Sequence, residues 1–177
     1  MKTDEELAVR LGAAMERWSL DAAMPVAETA TSWVLRATGA TGVHALKLLK
    51  RLADAGYSVS LETSGALDVS AVDPRISKIL DIKTPGSGEC ERNLWSNIGH
   101  LTAHDEIKFV LCDEADYRWA CTELTQRRLN ERCAVLFSPV HGSLEPRQLA
   151  DWILRDRLPV RMQVQLHKLL WGEGPGH

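Results

Sequence analysis

The chain has 177 residues, a formal net charge of −3 and 25% charged residues, a length that suits one domain burying roughly 70% of the surface that its unfolded chain exposes. Because neither sign of charge dominates, the composition gives no reason to expect a nucleic acid or a membrane as partner. No apolar stretch approaches the roughly 20 residues that cross a bilayer, and the first six residues lack the apolar core of a signal peptide, so we expect a cytoplasmic protein.

Two helical patterns occupy the first third of the chain, with an irregular stretch between them. Apolar residues recur at helical spacing over residues 4–18, which predicts an amphipathic helix. Residues 21–42 are rich in Ala and Thr and nearly aperiodic, although residues 32–35 have the composition of a short strand. Residues 44–55 predict a second helix, which we expect to stop at Gly56.

Five short apolar runs follow, and each ends in a cluster of polar residues. Helical patterns over residues 115–129 and about 145–157 separate the later runs. Such alternation predicts consecutive β-α units, with parallel strands in one curved sheet and a ligand site at their carboxyl ends. The loop 84–88, which holds one proline and two glycines, lies at that edge. The predicted strands are near residues 58–62, 79–83, 107–111, 134–138 and 161–166.

The cysteines show no local metal motif. No two of them stand two or three residues apart, as zinc or iron-sulfur ligands often do. Two of them adjoin apolar strand-like residues, so the interpretation from sequence is that they are buried free thiols. The four cysteines are Cys90, Cys112, Cys121 and Cys133.

Six segments carry a resemblance to a known family, the 7-carboxy-7-deazaguanine synthases. They occur in the family's order from about residue 44 to the C-terminus, so together they are far more specific than any one of them. The segments are Glu-Thr-Ser-Gly-Ala at 62–66, Asp-Ile-Lys-Thr-Pro-Gly-Ser-Gly-Glu at 81–89, Asn-Leu-Trp at 93–95, Asp-Glu-Ile-Lys-Phe-Val at 105–110, Ser-Pro-Val-His-Gly at 138–142 and Gln-Leu-His-Lys-Leu-Leu-Trp at 165–171.

The resemblance implies an α/β fold: a partial, modified (β/α) barrel of the radical S-adenosylmethionine type over residues 44–177, with N-terminal units missing or degenerate in the poorly matched segment 1–43. It implies a cytoplasmic carbon-nitrogen lyase of queuosine biosynthesis. The cofactors would be S-adenosylmethionine, a 4Fe-4S cluster and Mg²⁺, and the reaction a radical ring contraction of 6-carboxy-5,6,7,8-tetrahydropterin. A homodimer is the implied assembly, and the composition adds no nucleic acid or membrane partner.

The resemblance also implies two groups of binding residues at the strand ends. The first group faces S-adenosylmethionine, whose ammonium, carboxylate and hydroxyls suit carboxylate and lysine partners. The second group contacts the pterin through backbone, hydroxyl and imidazole groups. For S-adenosylmethionine these are Glu62, Ser64, Asp81, Ile82 and Lys83; for the pterin they are Ser138, Pro139, Val140, His141 and His167.

Two family motifs do not occur in the chain, the C-x-x-x-C-x-x-C cluster triad and the Gly-Gly-Glu-Pro segment, for which residues 38–42 are a poor remnant. Three thiolates hold the cluster and leave one iron for S-adenosylmethionine. The departures imply a truncated or frame-disturbed gene product that is not a competent synthase by itself, and no residue is assigned to Mg²⁺. The alternative function is therefore a non-catalytic remnant that binds S-adenosylmethionine weakly or packs against another chain.

Several site residues also have purely structural interpretations. Glu62 can cap the turn after a strand, and Lys83 can be a lysine paired with Asp81. His141 and His167 can be histidines satisfied by hydrogen bonds. A serine or cysteine hydrolase is disfavoured because the chain has no G-x-S-x-G elbow and no recognisable cysteine nucleophile motif.

Overall fold

The structure is a computed structural model that describes residues 20–22, 32–37 and 43–166. The helix predicted over residues 4–18 and the predicted pterin residue His167 lie outside the described residues. The chain divides into two compact units. The first comprises Met1–Thr63 and Leu67–Ile79, and the second comprises Ser64–Ala66 and Leu80–His177.

The described residues of the first unit contain three complete strands and one helix. β1 (Leu20–Ala22) is antiparallel to β2 (Ser32–Ala37), and β2 is parallel to β3 (Ser58–Thr63). The helix α1 (Val43–Asp54) connects β2 to β3. The predicted short strand and the predicted helix are thus confirmed as β2 and α1, whereas β1 was not predicted. Their core consists of Leu49, Leu52, Val59, Leu61, Val69, Val72 and Ile76.

The second unit is built on parallel strands with helical crossovers. β5 (Glu106–Leu111) is parallel to β6 (Ala134–Pro139), and β6 is parallel to β7 (Arg161–Met162). The helices α2 (Glu114–Gln126) and α3 (Pro146–Asp156) make the two connections. The predicted strand-helix alternation and parallel pairing are confirmed in this unit. Short 3-10 helices lie at Pro85–Ser87, Cys90–Arg92, Trp95–His100 and Leu129–Glu131.

One strand belongs to both units. β4 (Ser77–Ile82) contributes its first three residues to the first unit and its last three to the second. It begins two residues before the predicted strand 79–83, and the predicted loop 84–88 contains a 3-10 turn. Among the described residues, none of the helices is both long and apolar enough to cross a membrane.

The two faces of the strands in the second unit differ in character. Alternate residues of β4, β5 and β6, among them Leu80, Phe109 and Phe137, pack in one buried core. Since successive side chains of a strand point to opposite faces, the intervening residues lie on the other face. We call this second set the site face; it consists of Asp81, Lys108, Val110, Leu136 and Ser138.

The predicted final strand over residues 161–166 is wrong beyond Met162. The Gln163 backbone N–H still donates to the Phe137 carbonyl at 2.9 Å. The next bond of a parallel ladder would run from the N–H of residue 139 to the carbonyl of residue 163, and Pro139 has no N–H. The pairing therefore ends there, although the alternating pattern of the sequence continues.

Candidate functional site

Buried polar side chains of the second unit gather in the segments that follow the strands. Thr84 follows β4, Asp116 lies in the first turn of α2 after β5, and Ser138 lies near the end of β6. Each is at most 1% exposed. A buried polar group is costly unless it is hydrogen-bonded. Several such groups near the strand ends therefore indicate a functional site there.

At the end of β4, a lysine and an aspartate form an ion pair. Lys83 Nζ donates to Asp81 Oδ2 at 2.7 Å, so the predicted pairing of these two residues is confirmed. Asp81 Oδ1 is buried and finds no hydrogen-bond partner among the described residues. Asn93 holds the Lys83 backbone from both sides, accepting from its N–H at 2.9 Å and donating to its carbonyl at 2.8 Å. The pair is therefore presented on a fixed backbone.

The other residues predicted to face S-adenosylmethionine are placed differently. Ile82 is 1% exposed and its side chain packs in the core, so only its backbone is available to a ligand. Glu62 is half-buried in β3 of the first unit, whereas Ser64 is exposed and belongs to the second unit. Within the second unit the structure therefore places Ser64, Asp81 and Lys83 in segments that follow or end strands.

A cavity of about 260 Å³ opens beyond the carboxyl end of β6. Of the predicted pterin residues it includes Pro139 and His141, but neither Ser138 nor Val140. Val140 instead continues the sheet, because its N–H donates to the Leu111 carbonyl at 2.9 Å. The cavity is lined by Pro139, His141, Gly142, Leu144, Glu145, Pro146, Val164 and Gln165.

Ser138 does not line this cavity; it lies on the site face, paired with Val110 in the register of β5 and β6. The residue is fully buried, and its Oγ finds no hydrogen-bond partner among the described residues. Ser138 Oγ and Asp81 Oδ1 are thus two buried oxygens on the site face, each without a hydrogen-bond partner among the described residues. Buried polar atoms without a partner are rare in folded proteins and call for an explanation.

Sequence reasoning missed three residues of this region. Glu145 and Gln165 line the cavity, and Lys108 is half-buried on the site face. Glu145 was interpreted only as the start of a helix, and Gln165 as part of a strand and of the family segment 165–171, without a binding role. Lys108 stands in the family segment 105–110 but was given no role; its position within the apolar run of β5 was a further signal, because lysine is seldom buried without a partner.

Sequence reasoning also missed the role of Asp116. Its carboxylate accepts from Thr84 Oγ1 at 2.8 Å, from the Gly86 N–H at 2.8 Å and from the Cys112 N–H at 3.0 Å. Its own N–H donates to Asp113 Oδ1 at 2.9 Å, which caps α2. The spacing of Asp113 and Asp116 is that of a capping box and was a detectable signal for the helix start. It could not reveal the contacts to the loop 84–88.

The described thiols do not fit a 4Fe-4S cluster. Burial raises the pKa of the Cys133 thiol to about 11 and also raises the pKa of Cys90, Cys112 and Cys121. The four lie in different segments: Cys90 in a 3-10 helix, Cys112 directly after β5, Cys121 in the middle of α2 and Cys133 directly before β6. Within the described residues, no three His, Cys, Asp or Glu side chains converge where a metal ion could be held.

Fold and site together define an α/β protein whose parallel strands carry buried polar groups and a cavity at their carboxyl ends, the arrangement of small-molecule sites in such sheets. No family model matches the chain. Curated relatives do match it, and those from Chlorobaculum tepidum, Koribacter versatilis and Thermoplasma acidophilum are named 7-carboxy-7-deazaguanine synthase.

The relative from Chlorobaculum tepidum is 48% identical over 128 residues, which cover 70% of this chain and 58% of the relative. That from Koribacter versatilis is 40% identical over 136 residues, or 70% of this chain and 60% of the relative. That from Thermoplasma acidophilum is 30% identical over 155 residues, or 85% of this chain and 73% of the relative.

The chain belongs to the 7-carboxy-7-deazaguanine synthase family, as the six sequence segments predicted. It spans about three fifths of the length of the first two relatives.

Proposed function

We propose that this chain forms the ligand-facing wall of a 7-carboxy-7-deazaguanine synthase, on a partial (β/α) barrel of the radical S-adenosylmethionine type. The reaction would be the ring contraction of 6-carboxy-5,6,7,8-tetrahydropterin on the route to queuosine. The observation that supports it is the pair of buried atoms on the site face, Asp81 Oδ1 and Ser138 Oγ, without a partner among the described residues. A bound ligand with hydrogen-bonding groups would satisfy both.

S-adenosylmethionine suits the residues at the end of β4. Its ammonium and ribose hydroxyls are donors for the free oxygen of Asp81, and its carboxylate is a partner for the Lys83 ammonium. Lys108, half-buried on the site face, offers a second cation. Glu62 and Ser64 remain proposed contacts. When held on its cluster, S-adenosylmethionine supplies the radical chemistry; the described residues bind and orient it, and none of them is proposed to hold the cluster or Mg²⁺.

The reduced pterin suits the cavity beyond β6. Its bicyclic ring needs a small pocket with apolar walls and a few polar groups, and the cavity of about 260 Å³ offers Pro139 and Leu144 as walls. The Glu145 carboxylate can accept from the amino and ring N–H groups, and the Gln165 amide can both donate and accept. His141, whose imidazole also lines the cavity, would orient the ring. His167 and Val140 remain proposed contacts.

A second candidate is a non-catalytic module that binds S-adenosylmethionine weakly or packs against another chain, including a second copy in a homodimer. The scattered, protonated thiols favour it. Anaerobic reconstitution with iron and sulfide separates the two candidates. We expect no stable 4Fe-4S absorbance and only background 5'-deoxyadenosine from this chain; about four irons and four sulfides per chain would instead support the complete enzyme.

Substrate binding tests the proposal without requiring a cluster. Anaerobic calorimetric titration with 6-carboxy-5,6,7,8-tetrahydropterin should show binding to the wild type and about tenfold weaker binding to His141→Ala, a loss of about 1.4 kcal/mol. His104→Ala is the matched control, because this histidine is exposed in another loop and bonds to Thr102 Oγ1 at 2.9 Å. Equal affinity of all three proteins would contradict the assignment of the cavity to the pterin.

S-adenosylmethionine binding is tested in the same way with a matched lysine pair. Lys83 and Lys50 each bond to a nearby carboxylate, Lys83 to Asp81 at 2.7 Å and Lys50 to Asp54 at 2.8 Å. We expect Lys83→Ala to weaken binding and Lys50→Ala to leave it unchanged. Without an iron site the wild-type affinity should be millimolar, so ligand-observed NMR is the suitable measurement. Tight binding that neither substitution changes would place the cofactor elsewhere.

A further inference from the structure

We propose that Asp116 is a positioning residue: its carboxylate holds the loop 84–88 against the carboxyl end of β5 and thereby sets the position of Lys83. The inference rests on the proposed function for the meaning of Lys83, but the loop contacts themselves are independent of it. Asp116 is 1% exposed and stands 30 residues after Gly86 and 32 after Thr84 in sequence. No motif of the loop contains it.

The contacts of Asp116 exceed what the start of a helix requires. In a capping box the side chain at the third helical position returns to the N–H of the cap residue. Here Asp113 caps α2, but the Asp116 carboxylate bonds instead to the N–H of Cys112, one residue earlier. Its remaining acceptor capacity goes to Thr84 Oγ1 and the Gly86 N–H. Two of its three donors therefore come from the loop rather than from the helix.

The loop is shaped to receive this carboxylate. A Cβ added to Gly86 would lie 2.6 Å from Asp116 Oδ2 and 3.0 Å from Oδ1, so a side chain at this position would displace the carboxylate. Ser87 closes the turn by donating from its Oγ to the Thr84 carbonyl at 2.6 Å. Glycine at position 86 thus permits close approach of the backbone, and the approach is to Asp116.

Hydrogen bonds hold the backbone at Lys83 and at the residue that follows it. Asn93 bonds to its backbone N–H and carbonyl, and the next residue, Thr84, bonds through Oγ1 to Asp116. The Lys83 side chain is then free to adjust only through its own rotamers. Because a displacement of about 1 Å at a binding group is enough to cost affinity, a backbone held on both sides is the arrangement expected for a ligand-binding lysine.

Asp116→Asn is the sharpest perturbation, since it keeps the shape of the side chain. The amide has one oxygen where the carboxylate has two, so either orientation turns its NH₂ group toward a backbone N–H, of Gly86 or of Cys112. Gly86→Ala breaks the same contact by steric means without changing charge. Tyr117→Phe is the control: it is the adjacent residue in α2, and its hydroxyl bonds to α3 and not to the loop.

Hydrogen-deuterium exchange on the full chain gives the first readout. Asp116→Asn and Gly86→Ala should each raise the exchange rate of residues 84–88 by about tenfold or more, and the double variant should add little to either. Tyr117→Phe should leave these residues protected. Thr84→Ser, which keeps the hydroxyl, should behave like the wild type. Unchanged exchange of the loop in Asp116→Asn would overturn the proposal.

Binding of S-adenosylmethionine, followed by ligand-observed NMR, gives the second readout. Asp116→Asn should weaken binding about tenfold while Tyr117→Phe leaves it unchanged, even where the two variants are destabilised alike. Equal binding by Asp116→Asn and wild type would reduce Asp116 to a structural residue and overturn its positioning role. If the wild type does not bind the ligand, the proposed function fails, and the exchange experiment still decides whether Asp116 holds the loop.

Discussion

Two buried hydroxyls with opposite hydrogen-bonding states allow a direct test of the site. Ser138 Oγ has no partner among the described residues, whereas Thr84 Oγ1 donates to Asp116 Oδ2 at 2.8 Å. An unpaired buried hydroxyl costs about 1–3 kcal/mol in mutational data, so Ser138→Ala should raise the free energy of unfolding by about 1 kcal/mol. A hydrogen bond to a charged group contributes about 2 kcal/mol, so Thr84→Val should lower it by about that amount.

Urea denaturation followed by tryptophan fluorescence measures both changes. The comparison is valid if the m-value, the slope of the free energy of unfolding against urea concentration, is the same in the variants and the wild type. The same Ser138→Ala protein should bind 6-carboxy-5,6,7,8-tetrahydropterin less well than the wild type does, because Ser138 is one of the residues that the resemblance assigns to the pterin. Gain of stability together with loss of affinity is the expected combination. If the free energy of unfolding of Ser138→Ala instead fell by more than about 1 kcal/mol, the hydroxyl would be hydrogen-bonded within the folded chain, and this reasoning would be refuted.

Three further predictions concern the helices and thiols of the second unit. Tyr117→Phe removes a buried hydroxyl that lies 2.7 Å from Asp156 Oδ2 and 3.0 Å from the Trp152 carbonyl, and should lower the free energy of unfolding by about 1 kcal/mol in urea titrations. Hydrogen bonds from Arg155 and Tyr117 lower the pKa of Asp156 to about 2, so its stabilising contribution is complete above about pH 5 and is lost as the pH falls through 2. The stability difference between wild type and Asp156→Asn should accordingly shrink between about pH 5 and pH 2; a constant difference would contradict the assignment. Because Cys133 is buried and burial raises its pKa to about 11, this thiol should react with iodoacetamide at pH 8 more slowly than the half-buried Cys90, Cys112 and Cys121. Peptide mass spectrometry measures the four rates, and faster reaction of Cys133 would contradict the prediction.

Local patterns were sufficient for most elements of the chain. The apolar runs that became β5 and β6, and the helix that became α1, were predictable because each pattern is contained in a few consecutive residues. The order of the six segments predicted the family, which the relatives confirm. The ion pair of Asp81 and Lys83 was also predictable, because residues two apart at the end of a strand lie on the same side.

What depends on distant residues was not predictable in this way. The final strand stops after Met162 because its neighbour, Pro139, lacks the N–H that the ladder needs, and no pattern within residues 161–166 contains that information. The cavity joins Pro139 to Gln165, and Asp116 meets Thr84 and Gly86 across 30 residues or more. Sequence by itself determined the class of fold, the family and the residue types at the strand ends, since these follow from periodicity and motif order. Only the tertiary structure decided which side chains are buried without a partner and which carboxylate holds the loop, because both depend on contacts between segments far apart in the chain.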